Sequence, residues 1–256
     1  MAGDRAADLA GKVAVVTGGS RGLGREMCLA FARHGAAVVV ASRKGDACDA
    51  VAAEIEAAGG RALGVATHVG RWADCDRLVD VAYERFGRVD VLVNNAGMSP
   101  LYPSLAEVTE ELFDKVVAVN LRAVFRLSAL VGTRMAAGDG GSIINVSSIS
   151  AIQPTPVELP YAAAKAGVLA LTEGLARAFG PTVRTNTIMP GAFLTDISTA
   201  WDMDEFERTA EQQIALRRGG RPDEIVGAAL YLAGDASSYT SGSVLKVDGG
   251  WVYGAG

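Results

Sequence analysis

Residues 13–17 read Val-Ala-Val-Val-Thr, and a glycine-rich bend, Gly18-Gly19-Ser20-Arg21-Gly22-Leu23-Gly24, follows at once. A strand that is apolar at successive positions has to be covered on both faces, which points to a parallel sheet between two layers of helices. Residues 22–34 then carry Met27, Leu29, Ala30 and Phe31 at helical spacing, and Gly35 stands where glycine commonly closes a helix.

The same alternation continues down the chain. The pattern predicts strands at 37–41, 62–67, 89–93, 142–146, 183–188 and 244–247. It predicts helices at 46–58, 72–86, 109–136, 161–179 and 222–233, the last with Pro222 in its first turn. Alternating strands and helices imply a Rossmann-type, doubly wound α/β fold with about seven parallel strands, helices on both faces and right-handed crossovers. No composition shift or repeat marks a second domain, so residues 1–256 read as one dinucleotide-binding and catalytic domain. The stretch at about 190–215 reads as a long irregular loop, a common form of lid.

Composition narrows the function classes. The 256 residues are 50% hydrophobic but only 6% aromatic, so the core is aliphatic, and a net charge of -5 without a basic run argues against nucleic acid. Cys28, Cys48 and Cys75 follow no paired spacing and read as free thiols of a reducing compartment. His34 and His68 sit in no ligand cluster, so no metal site is expected. The N-terminal segment 1–12 has no apolar core of a leader, and no apolar run looks long enough to span a bilayer; a cytoplasmic protein is expected.

The spacing of the first bend is G-x-x-x-G-x-G. Glycines there allow a tight turn and close backbone approach to a pyrophosphate, which then meets a helix N-terminus. Tyr161 and Lys165 lie four apart on a predicted helix and share a face. A free phenol titrates near about 10, and a neighbouring ammonium is expected to lower that value toward a useful acid or base. Asn120 interrupts an apolar helix, where a polar side chain needs a reason. Val38-Val39-Val40-Ala41 runs into Ser42-Arg43-Lys44 with no carboxylate at the turn, and Arg21 adds a second cation. An acid at that place binds the 2′-hydroxyl of NAD, whereas cations suit the 2′-phosphate of NADP. The alternative is that Arg43 and Lys44 form a solvated loop.

In order, Thr17-Gly18-x-x-x-Gly22-x-Gly24, Asn94-Asn95-Ala96-Gly97, Asn120, Ser148, Tyr161-x-x-x-Lys165, Pro190-Gly191 and Asp248-Gly249-Gly250 resemble the landmarks of the short-chain dehydrogenases/reductases, across nearly the whole chain. The resemblance implies an NADP-preferring enzyme that interconverts an alcohol and a ketone. It implies a catalytic set of Asn120, Ser148, Tyr161 and Lys165. Family spacing selects Ser148 over Ser147, Lys165 would hold the nicotinamide ribose, and Asn120 would anchor a water that relays protons from Lys165. It places the cofactor against Gly18, Ser20, Arg21, Gly22, Leu23, Gly24, Ser42, Arg43, His68, Val69, Asn94, Ala96, Gly97, Tyr161, Lys165, Pro190, Gly191 and Thr195.

Two of these carry open readings. Family members commonly have an Asp near the adenine where this chain has His68, which either hydrogen-bonds the base or packs beside it. Thr195 contacts the cofactor, caps a helix, or does both.

The substrate pocket is expected to be lined by Met98, Pro100, Leu101, Tyr102, the segment 149–159, and Phe193, Trp201, Met203 and Phe206, which favours an apolar or moderately polar substrate. One branch of the family reduces 3-oxoacyl groups on an acidic acyl carrier protein. Here Gly138-Asp139-Gly140-Gly141 and Gly180-Pro181-Thr182 lack the basic residues such a carrier would meet, and Asp202, Asp204, Glu205 and Glu207 would repel it. A free small-molecule carbonyl or alcohol therefore ranks above a carrier-bound chain, and a non-catalytic NADP-binding module ranks last. The family implies a homo-oligomer, a tetramer before a dimer, and the Ala-rich face of 162–178 would permit close helix approach.

Overall fold

The computed structural model describes residues 8–196, 198 and 201–251. Most of the N-terminal segment and three positions of the expected lid, 197, 199 and 200, lie outside the described residues.

Seven parallel strands form one sheet in the order β3-β2-β1-β4-β5-β6-β7. They are β1 Val13–Thr17, β2 Ala37–Ser42, β3 Arg61–Ala66, β4 Val91–Asn94, β5 Gly141–Val146, β6 Val183–Pro190 and β7 Val244–Val247. The chain reverses its direction of build between β1 and β4, which are hydrogen-bonded neighbours. At such a reversal the loops leaving the strand ends diverge and open a crevice.

Helices α1 Gly22–Arg33, α2 Gly45–Ala57, α3 Trp72–Phe86, α4 Glu110–Val117, α5 Ala123–Ala136, α6 Leu159–Phe179, α7 Met203–Gln213 and α8 Val226–Ala233 complete the element order. Alternate residues of one strand feed opposite cores. Val16, Val40 and Ile144 pack with Met27, Phe31, Ile55 and Ile225 on one side. Val15, Val39 and Ile143 pack with Leu78, Leu127 and Val131 on the other.

The differences from the sequence pattern have local causes. The fourth strand begins at Val91, not 89; just before it the Asp90 side chain accepts from the Val13 amide at 2.8 Å and pairs with Arg88, while its backbone bonds to Val13 and Ser142. The sixth strand runs on to Pro190 because β7 pairs with it from Thr187 onward. The stretch at 190–214 is not all loop: Asp202 caps α7 by accepting from the Glu205 amide at 3.1 Å. The helix at 222–233 starts as a 3₁₀ turn, Pro222–Ile225.

The long fourth-strand crossover begins after its cap Thr109, whose hydroxyl accepts from the Leu112 amide at 3.2 Å. It contains a π turn, Ala118–Arg122, between α4 and α5. Contrary to the expectation from apolar runs, the helical stretch Glu110–Ala136 is long and apolar enough by length and composition to cross a membrane. Here half of its most apolar window is buried, and α5 lies against α3 and α6 as a core helix.

Candidate active site

The first bend leaves β1 through Gly18, whose φ of +67° is a left-handed conformation that glycine adopts freely. A Cβ on Gly24 would collide with the Gly18 carbonyl, so the bend closes only without a side chain there. Helix α1 then starts with no side-chain cap, leaving its first amides without a protein partner from the cap residue Arg21. Thr195, at the entrance to the lid, lies across the bend from Gly22: a Cβ built on Gly22 would be 3.5 Å from it. Ser20 and Leu23 are half-buried, and Leu23 packs on the first core.

Arg21, Arg43 and Lys44 are exposed and have no ion-pair partner among the described residues. The Ser42 hydroxyl lies 3.1 Å from the Cys48 sulfur at the end of β2. The uncapped helix, the closely built glycine bend and unpaired cations on two neighbouring turns fit a pyrophosphate and a further phosphate. At the end of β3, Val69 is buried and the His68 ring is half-exposed. His68 Nδ1 is buried without a hydrogen-bond partner and lies over Gly70, next to Val119. All three cysteines are buried free thiols; burial pushes the Cys28 thiol far up and the Cys75 thiol up to about 11.

The loop after β4 is tied to the bend. Thr17 Oγ1 accepts from the amides of Asn95 at 3.0 Å and Ala96 at 3.1 Å. Asn95 Nδ2 donates to the Thr17 carbonyl at 2.8 Å. Asn95 was not among the expected site residues, although its place in the Asn94-Asn95-Ala96-Gly97 run was the available signal. Asn94 itself turns inward: its Nδ2 donates to Ser128 Oγ and Asn145 Oδ1, both at 2.9 Å. It crosslinks β4, β5 and α5 rather than presenting its side chain to the crevice.

Asn120 lies inside the π turn with its side chain bonded to the protein through both Nδ2 and Oδ1. Nδ2 donates to the Met98 and Val116 carbonyls at 2.8 and 2.9 Å, and Oδ1 accepts from the Met98 amide at 3.1 Å. The side chain is therefore a clamp on the Gly97–Met98 corner, with one lone pair of Oδ1 left over. Gly97 adjoins both groups: a Cβ there would be 3.0 Å from Asn120 Oδ1 and 3.6 Å from Lys165 Nζ.

Ser147 and Ser148 follow β5 and serve different partners. Ser147 Oγ donates to the Lys165 carbonyl at 2.9 Å and anchors α6. Ser148 lies near the Tyr161 phenol and favours its ionised form, while its Oγ donates to Ser150 Oγ at 3.1 Å. Lys165 is buried, and its Nζ donates to the Val146 carbonyl at 2.7 Å and sits 5.6 Å from the centre of the Tyr161 ring.

This arrangement departs from the simple expectation of a phenol acidified by its neighbour. Burial pushes Tyr161 up to about 12, only partly opposed by the nearby Ser148 hydroxyl, and the Glu158 charge raises it further. Burial also pulls Lys165 down to about 8. The ammonium lies over the ring, and desolvation dominates both groups.

Pro190 ends β6, and the Gly191 amide donates to the Val247 carbonyl at 3.0 Å. A shallow surface depression, without room for a water molecule, lies beside Tyr161 and is bordered also by Pro100, Tyr102 and Glu158. Tyr102 Oη donates to the Pro156 carbonyl at 2.7 Å and accepts from the Leu159 amide at 2.9 Å, holding its rim together. Of the expected lining residues, Phe193 is instead part of the first core, bridged to Gly220. Leu101 is largely exposed, and Trp201 and Phe206 stack with ring centres 5.1 Å apart.

A family profile described as Enoyl-(Acyl carrier protein) reductase matches residues 18–252. The chain is 37% identical over 244 residues to Dehydrogenase/reductase SDR family member 4 of Pongo abelii, covering 94% of this chain and 88% of that one. It is 39% identical over 247 residues to an L-rhamnose 1-dehydrogenase (NAD(P)(+)) of Azotobacter vinelandii, covering 93% and 96%. A crystal structure of 3-oxoacyl (acyl-carrier-protein) reductase from Agrobacterium tumefaciens C58 with NADP bound superposes with a TM-score of 0.90 at 32% identity, covering 96% of each chain.

Proposed function

The chain belongs to the short-chain dehydrogenase/reductase family of oxidoreductases, and from that premise we propose that it interconverts a secondary alcohol and a ketone with NADP(H) as hydride partner. The observation that carries this reading is the grouping of Ser148, the Tyr161 phenol and, one turn away, Lys165 at the strand ends beside the open glycine bend. Residues 1–256 act as one domain in this reading, with 190–215 as the lid.

The first bend and the α1 N-terminus take the pyrophosphate, Arg21 and Arg43 the 2′-phosphate, and the corners at 68–69, 94–97 and 190–195 the remainder. The nicotinamide supplies or accepts the hydride when bound. Lys165 has one protein hydrogen bond, which leaves its other donors for the sugar hydroxyls. Ser148 steadies the substrate oxygen and Tyr161 exchanges the proton with it. A phenol held near 12 stays protonated at neutral pH and is ready to act as an acid in ketone reduction. Acting as a base in the reverse direction, it draws on the Lys165 charge, so alcohol oxidation is favoured at higher pH until Lys165 loses its proton near about 8.

A free small molecule is the substrate in this reading. The exposed acids Asp202, Asp204, Glu205 and Glu207 on and before α7 disfavour an acidic carrier. The relative that reduces carrier-bound 3-oxoacyl groups keeps that substrate as the second reading. A cytoplasmic homotetramer completes the proposal, supported by exposed Ala163, Ala166 and Ala170 along α6.

Tyr161→Phe is expected to bind NADPH as the wild type does, read by quenching of protein fluorescence, and to lose at least about a thousandfold in kcat on any ketone the wild type reduces. Arg43→Ala, in the same titration, is expected to weaken NADPH and leave NADH unchanged. Retained turnover in the first variant removes the assignment of Tyr161. A wild type that binds NADPH but turns over no carbonyl compound or carrier thioester returns the chain to a binding module.

A further inference from the structure

We propose that Ser147 is a positioning residue of this site: by bonding the main chain of Lys165 it fixes where the Lys165 ammonium stands. The inference rests on the reading of Lys165 as a member of the catalytic set and names the residue that holds it in place.

Four consecutive residues, at and just after the end of β5, meet residues that share a face of α6. Asn145 Nδ2 donates to Thr172 Oγ1 at 2.9 Å. The Val146 carbonyl accepts from Lys165 Nζ at 2.7 Å, and Ser147 Oγ donates to the Lys165 carbonyl at 2.9 Å. Ser148 lies near the Tyr161 phenol. Lys165 is thus gripped at both ends, its ammonium by residue 146 and its carbonyl by residue 147. The grip has a fixed base, because the Ser147 amide donates to the Ile188 carbonyl of β6 at 2.9 Å. Ser147 and Lys165 are both buried.

Helix geometry does not call for the Ser147 bond. A carbonyl inside a helix is ordinarily served by the amide four residues on, and an alanine at 147 would bring no side-chain polar group to satisfy. What the bond adds is a tie between sheet and helix at the residue whose side chain has to reach the site. A lysine carries its ammonium on a flexible four-carbon stem, so the place of the charge is set by where the stem starts and what holds its tip. Val146 holds the tip, and Ser147 holds the start. The groups around the ammonium are uncharged: the Tyr161 ring on its own helix, the Val146 carbonyl on β5, and the Gly97 corner with its clamp Asn120 after β4. Burial is what lowers the Lys165 pKa to about 8, so its titration reports how deeply the ammonium is held.

The test has a spectroscopic arm that needs no substrate. The chain has five lysines. In lysine-labelled protein the Cε resonance of Lys165, assigned by its loss in Lys165→Met, is followed through a pH titration. In Ser147→Ala its midpoint is expected to rise above the wild-type value by about 0.5 in pH or more, because an ammonium released from its fixed place regains water. Thr172→Val removes a different tie between α6 and β5, and is expected to lower the thermal midpoint without moving the Lys165 titration. On any ketone the wild type reduces, Ser147→Ala is expected to lose about tenfold in kcat with little change in KM, the mark of a misplaced group in the chemical step. A Lys165 midpoint in Ser147→Ala at or below the wild-type value, or one that moves as far in Thr172→Val, overturns the inference. So does a wild-type kcat in Ser147→Ala. Turnover that survives Lys165→Met overturns the catalytic reading instead, and the titration still judges Ser147.

Discussion

Lys165 shows what a single side chain gives up for its position. Its ammonium is surrounded by protein and receives one compensating bond, to the Val146 carbonyl. Folding lowers its pKa from 10.5 to about 8, so the unfolded chain binds more protons between those values. Stability from this group therefore rises as pH climbs from about 8 to about 10.5, and below pH 8 burying the charge costs roughly 3 kcal/mol. Lys165→Met keeps the aliphatic stem and removes that cost. Its thermal and urea midpoints at pH 7 are expected to rise while turnover disappears; a fall in both midpoints would show the ammonium to be net stabilising. The Tyr161–Lys165 spacing was plain in the sequence. The direction of the two pKa shifts was not, because it follows from desolvation, and how deeply two helix positions are buried is set by the sheet and loops packed over them.

At the scale of elements, the helix Glu110–Ala136 is one apolar pattern in the sequence and three segments in space. Asn120 takes the Val116 carbonyl with its side chain, four residues back, and spends its other bonds on Met98. A π turn accommodates that bond without breaking the helix. Asn120→Ala puts the strongest helix former in its place and leaves both Met98 backbone groups unpaired. Stability is expected to fall by about 1–3 kcal/mol, with faster amide exchange at Met98 and a lower kcat. Unaltered exchange there would mean that the corner holds without its clamp. The start of helix α7 is written in the sequence, with Asp202 at the cap and Glu205 three residues on, inside the helix, while its polar composition hides the apolar face that would mark it as a helix. The inward turn of Asn94 was not legible, since its partners Ser128 and Asn145 lie 34 and 51 residues away.

The whole molecule is held by one sheet shared between two cores, so a loss on either face is felt through the same strands. Ile144, fully buried in β5, tests this. Ile144→Ala is expected to cost about 2–5 kcal/mol and to shift one cooperative transition monitored by far-ultraviolet dichroism and by tryptophan fluorescence alike; separated transitions would show the halves melting independently. The sequence by itself determined the α/β class, nearly all the elements, the glycine bend and the family landmarks. Each of these is written in short-range periodicity or in a residue type that a local backbone conformation requires. Tertiary structure alone decided that Asn120 is a clamp, that Phe193 belongs to the core, and that Ser148 rather than Ser147 lies near the phenol. Those outcomes depend on which distant segments desolvate a group and which reach it with a hydrogen bond, and separation along a chain carries no record of that.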